Sequence, residues 1–170
     1  MNPTGNPTGN PTRFLTIAGA VCLIGLPARA QLITHKDLSA AMALTIAQTA
    51  ISTCTTNGYK VSVTVVGRNA EVILQVRGDG TGPHTMENSM RKAYTSRTFR
   101  IPSGEMAKRY KENPQNAAVF LSGVVAAQGA LPILTGEDVI GAVGVSGAPG
   151  GEKDEVCAQA GIDKVAADLK

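Results

Sequence analysis

The hydrophobic period of this chain changes once, early, and the change sets the class of fold. Leu38, Met42, Ile46, Ala50 and Cys54 recur every four residues, with Ala43, Ala47 and Ile51 widening the stripe, as on the buried face of an amphipathic helix. Ser39 or Asp37 can cap its start, and Asn57-Gly58 ends it. The next stretch, YKVSVTVVG, alternates instead: Val61, Val63 and Val65 point one way, Ser62 and Thr64 the other. A Gly67-Arg68-Asn69-Ala70 turn then leads into EVILQVR, so this region is expected to be a β-hairpin.

The remaining elements follow from caps and breakers. Pro83 and Thr85, the latter as N-cap, predict a helix running to about Phe99. Pro102-Ser103 starts a shorter helix, GEMAKRYKE, which Asn113-Pro114 closes. The apolar, glycine-punctuated run AVFLSGVVAAQGALPILTGEDVIGAVGVSGA predicts two or three strands, with a hairpin tip at Gly136-Glu137-Asp138. A last helix, from about Glu152 to Leu169, is expected to bury Val156, Cys157, Ala160 and Val165. Helix, two strands, two helices, strands and helix describe a single α+β domain with an antiparallel sheet.

Residues 1–30 read as a secretory address rather than part of that domain. Arg13 precedes an apolar stretch, FLTIAGAVCLIGLPA, and Ala28-Arg29-Ala30 is a small-x-small cleavage site before Gln31. The stretch is too short to span a bilayer as a helix, so no stable membrane insertion is expected after cleavage. The mature domain is then 31–170 and its destination periplasmic or secreted. Without Arg13 and Arg29 the Lys+Arg count falls from 16 to 14 against 13 acidic residues, a net charge of +1. That balance, with no Trp, three Tyr and three Phe, gives no basis for a nucleic-acid partner. Cys22 leaves with the signal. Cys54 and Cys157 remain, and spacing alone is compatible with a bridge or with two buried thiols.

Candidate chemistry narrows quickly because the chain has two histidines, His35 and His84. Neither sits beside a nucleophile elbow, which argues against a hydrolase triad. Asp79, His84 and Glu87 could supply three zinc ligands, but Asp79-Gly80 reads equally as a turn and Glu87 as a first-turn carboxylate on the helix dipole. GAVGVSGAPGG has neither dinucleotide nor P-loop spacing. Its amides could hold an anion, although a tight strand-to-helix connection is the simpler reading.

Haem needs one imidazole, an apolar slot and cations for two propionates. His84 is held in a GPHT corner; Met86, Met90, Ala93 and Tyr94 fall on neighbouring helical positions; Arg91, Lys92, Arg97 and Arg100 lie within a few turns. Arginine forks suit carboxylates, so Arg91, Lys92 or Arg97 could meet the propionates and His84 the iron; taken alone, though, a histidine at a helix start is ordinarily solvent-facing, a methionine stripe ordinarily core and a basic helix ordinarily a solvated face.

An ordered set of motifs carries a resemblance. LSAAMALTIAQTAISTCTTNGYKVSVTVVG at the front, RGDG followed by RKAYTSRTF in the middle, and VIGAVGVSGAPGGEKDEVCAQAG at the end resemble the GlcG/HbpS-like haem-degrading domain family. That family also includes the C-terminal domain of some corrinoid adenosyltransferases. The resemblance implies a profilin-like α+β fold, homo-oligomers, haem as cofactor, and haem degradation or redox sensing in some members. It places Asp79-Gly80 and the helix holding Lys92-Ala93-Tyr94-Thr95 at the border of the haem. Many relatives have an aliphatic residue where this chain has His84, so ligation by His84 rests on imidazole chemistry. The hairpin VVGRNAEVIL also lacks the family's aspartate and paired glycines. The alternative is a binding module for a small carboxylic acid such as a 2-hydroxy acid, held by the same arginines and the amides of the glycine-rich turn.

Overall fold

The computed structural model describes residues 31–115 and 117–170; the signal-peptide reading of 1–30 lies outside the described residues. From His35 to Lys170 the chain forms one unit. The four-residue stripe becomes helix α1 (Ala40–Thr56), with Ser39 as N-cap accepting from the Met42 amide at 3.2 Å. Ala43, Ile46, Ala47, Ala50 and Cys54 are its buried face. The alternating stretch becomes β1 (Ser62–Val66) and β2 (Val72–Arg77), paired antiparallel through the expected turn. Then come α2 (His84–Phe99), α3 (Ser103–Glu112), a 3-10 turn at Ala117–Phe120, β3 (Ala130–Thr135), β4 (Asp138–Ser146) and α4 (Gly151–Val165). The β3–β4 hairpin turns at Gly136-Glu137, with Gly136 at φ +61°.

The strands form one antiparallel sheet in the order β2-β1-β4-β3. Pro132 has no amide to donate, and β3 is an edge strand, where that is tolerated. Val63, Val65, Val143 and Val145 face α1 and α4 in the main core. Cys54 and Cys157 are bridged there, with Cα atoms 5.6 Å apart, joining α1 to α4. Gly161 lets these helices meet closely: a Cβ there would stand 2.6 Å from the Ile46 carbonyl oxygen.

The opposite face of the sheet is buried too, but by hydroxyls. Ser62 shares a 2.8 Å hydrogen bond with Thr85, and Thr64 another of 2.8 Å with Ser89, both on α2. Small residues on the two surfaces bring the helix unusually near. A Cβ on Gly144 of β4 would strike the Ser89 carbonyl oxygen and come 2.7 Å from the Ala93 nitrogen, so Gly144→Ala forces α2 off the sheet. Such overpacking costs about 1–3 kcal/mol, and a lower urea midpoint with circular dichroism unchanged before the transition is the expected result.

Two expectations are corrected. Thr85 does not cap α2: the helix already starts at His84, and the Thr85 hydroxyl instead donates to the Gly82 carbonyl at 2.8 Å while meeting Ser62. Val156 is 57% exposed rather than buried, because the inner face of α4 runs through Asp154, Cys157, Ala158, Gly161 and Val165.

Candidate functional site

The connector Gly78-Asp79-Gly80-Thr81-Gly82-Pro83 carries the chain from the edge strand β2 onto α2, and His84 is the first residue of that helix. Thr81 pins the connector: its hydroxyl donates to the Gly78 carbonyl at 3.0 Å, and the Arg77 guanidinium donates to the Thr81 carbonyl at 2.9 Å. The His84 ring lies over Gly82, where a Cβ would sit 2.9 Å from Cε1 and 3.0 Å from Nδ1. A side chain at 82 would displace the imidazole. The ring is exposed, and among the described residues it has no hydrogen-bond or ion-pair partner.

Positions 84, 87, 88 and 91 share one flank of α2, as helical spacing requires, and His84, Glu87, Asn88 and Arg91 line an open cleft of about 270 Å³. Asn88 is fixed by donating to the Ser146 hydroxyl at 2.9 Å. One Arg91 Nη donates to the Val124 carbonyl at 2.8 Å and the other stands 3.6 Å from Glu87, so the guanidinium is oriented while more than a third exposed. Glu87, which the sequence offers as a metal ligand or first-turn carboxylate, lines the cleft, and so does Asn88, which the sequence reading does not single out although the helical period identifies it.

The other expected site residues separate. Met90 is six residues from His84, which rotates it by about 120° to the other flank of the helix. Arg97 lies thirteen residues on, about 20 Å along the axis, and faces Arg68 and Arg100 at the opposite end of the sheet. Burial, with repulsion from Arg100 and Arg68, holds the Arg97 guanidinium below its ordinary range, and its Nε is buried without a partner among the described residues. Arg97 and His84 therefore stand at opposite ends of α2 and do not share the cleft.

Lys92 is buried, donating to Asp154 at 2.8 Å and to the Val145 carbonyl at 3.1 Å. Its charge is consumed inside the protein. Thr95 is buried as well; its hydroxyl donates to the Arg91 carbonyl at 2.8 Å and accepts from the Val125 amide at 2.9 Å. Tyr94 is half-buried against Gly123, whose Cβ would come 3.1 Å from the ring. Lys92 and Thr95 thus hold the site's scaffold, and Arg91 is the cation beside His84. One amide of the glycine-rich turn is also committed, that of Ala148, which donates to Asp154 at 3.0 Å.

The sequence profile described as haem degrading protein HbpS-like matches residues 38–163. This chain belongs to the HbpS-like family. Among solved structures, a double mutant of HbpS from Streptomyces reticuli is 32% identical to this HbpS-like chain, with a TM-score of 0.74 over 81% of this chain and 95% of that one. Protein ORFY of Klebsiella pneumoniae is 24% identical, with a TM-score of 0.75 over 82% and 97% of the two chains. A complex of PduOC with haem, 19% identical, shares the fold at a TM-score of 0.69 over 75% and 94%. No curated protein matches the sequence. Among the described residues of this HbpS-like protein, no helix is long and apolar enough to cross a membrane.

Proposed function

We propose that this HbpS-like protein is an exported haem-binding protein in which His84 ligates the iron and Arg91 receives a propionate. The observation that carries this reading is the unpartnered imidazole of His84 sharing one cleft with an oriented, half-open guanidinium two helical turns away. Family membership supports it, and so does the PduOC relative, whose structure is a haem complex. Bound haem would supply redox-active iron, held by His84, with Arg91 meeting a propionate. The protein's part is to present one imidazole nitrogen and to meet a carboxylate.

The donor set fits, but the slot is incomplete in one chain. At about 270 Å³ the cleft falls just short of the roughly 300–1,000 Å³ of pockets that enclose drug-sized ligands, and its lining is polar. Phe120, 77% exposed, and Leu121, 58% exposed, lie a few residues ahead of Val124 in the chain, the residue that anchors Arg91. A homo-oligomer, which family membership favours, supplies a second surface over the ring.

Titration of the purified protein with hemin is the test. A Soret band of a histidine-ligated species is expected, and His84→Ala shifts or weakens it. Arg91→Ala weakens binding by about tenfold, the effect of losing one charge-assisted hydrogen bond, whereas Arg97→Ala leaves it unchanged. A hemin spectrum untouched by His84→Ala rejects the ligand assignment.

Export draws support from the buried bridge between Cys54 and Cys157, which belongs in an oxidising compartment. The mature protein recovered from a periplasmic expression host should begin at Gln31 by intact mass. The carboxylic-acid alternative is weakened, because the Ala148 amide of the glycine-rich turn already donates to Asp154.

A further inference from the structure

At the same end of the sheet as His84, but on the face covered by α1, lies a larger cleft of about 340 Å³. Ile51 of α1 and the buried Val61 make its apolar lining; Thr55 and Tyr59 add a hydroxyl and an aromatic ring; Lys60 and Asp79 bring charges of opposite sign. The Tyr59 ring is held from outside by Lys153, whose Nζ stands 5.5 Å from the ring centroid.

The two charged groups are the informative feature. Lys60 and Asp79 line one cleft, yet among the described residues neither has an ion-pair or hydrogen-bond partner, each other included. Lys60 is laid along the turn that carries Asp79: a Cβ at Gly80 would come 3.0 Å from Lys60 Nζ, and Gly80 takes φ +69°. Isolated surface charges are ordinary, but here a cation and an anion sit beside the same apolar lining, in a space within the usual range for ligand pockets, roughly 300–1,000 Å³.

We infer that this cleft binds a small zwitterion, an α-amino acid with an apolar side chain. The carboxylate pairs with the Lys60 ammonium, the amino group with Asp79, and the side chain covers Ile51 and Val61. One cation and one anion favour a ligand of zero net charge over a simple acid or amine, since either of those leaves one protein charge unmatched. The cleft is separate from the haem reading. It lies on the α1 side of the sheet and shares none of His84, Glu87, Asn88 and Arg91, the residues that line the haem cleft.

The test is a nitrogen-15 correlation titration of the full chain with L-leucine, 4-methylpentanoic acid and 3-methylbutylamine. L-leucine is expected to give saturable shifts at the amides of Ile51, Tyr59, Lys60, Val61, Gly78 and Asp79, with each truncated analogue weaker by about tenfold or more. Lys60→Met and Asp79→Asn should each weaken L-leucine by a similar factor while leaving the thermal midpoint unchanged, and Lys60→Met should also leave the hemin titration unchanged. Absence of saturable shifts at millimolar L-leucine overturns the proposal. So does equal affinity for the acid alone, or binding that survives both substitutions.

Discussion

Lys92→Met is expected to destabilise the protein by about 3–5 kcal/mol, because it strands a carboxylate that the fold has buried. The side chains of Lys92 and Asp154 are 5% and 3% exposed and meet at 2.8 Å. The pair also spans elements: Lys92 is on α2, its second acceptor is Val145 of β4, and Asp154 takes the Ala148 amide at the entry to α4. A thermal midpoint lower by something on the order of 10 °C follows. Replacing both partners, Lys92→Met with Asp154→Leu, should recover most of the loss. The Ala148 amide then lacks its acceptor, which keeps recovery short of complete by about 1–3 kcal/mol. If the double variant is no more stable than Lys92→Met, the loss came from repacking rather than from an uncompensated charge.

The same pair has a pH signature. Burial holds the Asp154 carboxyl above its ordinary range, even though Lys92 and the Ala148 amide pull it down. A carboxyl whose folded value is raised binds its proton more tightly folded than unfolded. Its contribution is then fully present below the unfolded value of about 3.9 and is lost as pH rises through the folded value. In Lys92→Met the principal downward pull is gone, so the upward shift grows. The stability gap between wild type and variant should widen from pH 4 to pH 7 in urea melts, and a gap independent of pH would show that Asp154 binds its proton equally in both.

What was legible in the sequence was whatever local chemistry decides. The switch of period at Asn57-Gly58 gave α1 and the hairpin, Ser39 gave the cap, and Gly136-Glu137 gave the second turn. The part of the site set by helical spacing was readable too: 84 and 91 share a flank, and counting by three and four would have added 87 and 88 and removed 90. Long-range pairing was not readable. Lys92 looks like one more cation on a basic helix until the sheet brings Asp154, sixty-two residues away, to its ammonium. The segment ahead of β3 looked like a strand because it is apolar. Instead it is a 3-10 turn and loop, with Gly123 and Gly129 at φ +87° and +133°, held to α2 by Arg91 and Thr95.

Removing the disulfide is expected to have an effect of comparable size, by a different route. Cys54 and Cys157 are 103 residues apart in sequence, and in the chain-entropy model a closed loop of that length restrains the unfolded state by about 4–5 kcal/mol. Both residues are 0% exposed, so a reductant reaches the sulfurs when the protein opens. The double substitution Cys54→Ala, Cys157→Ala should therefore lower the urea midpoint and make it indifferent to dithiothreitol, while wild type drops to nearly the same value only when dithiothreitol is present. Equal midpoints for wild type with and without reductant would mean the crosslink adds nothing to stability. Since domains of this size have about 5–15 kcal/mol in total, losing the bridge removes a large share of the net stability. A chain so dependent on one buried crosslink is suited to an oxidising compartment and would be poorly populated in a reducing one, which ties the stability measurement directly to the export reading.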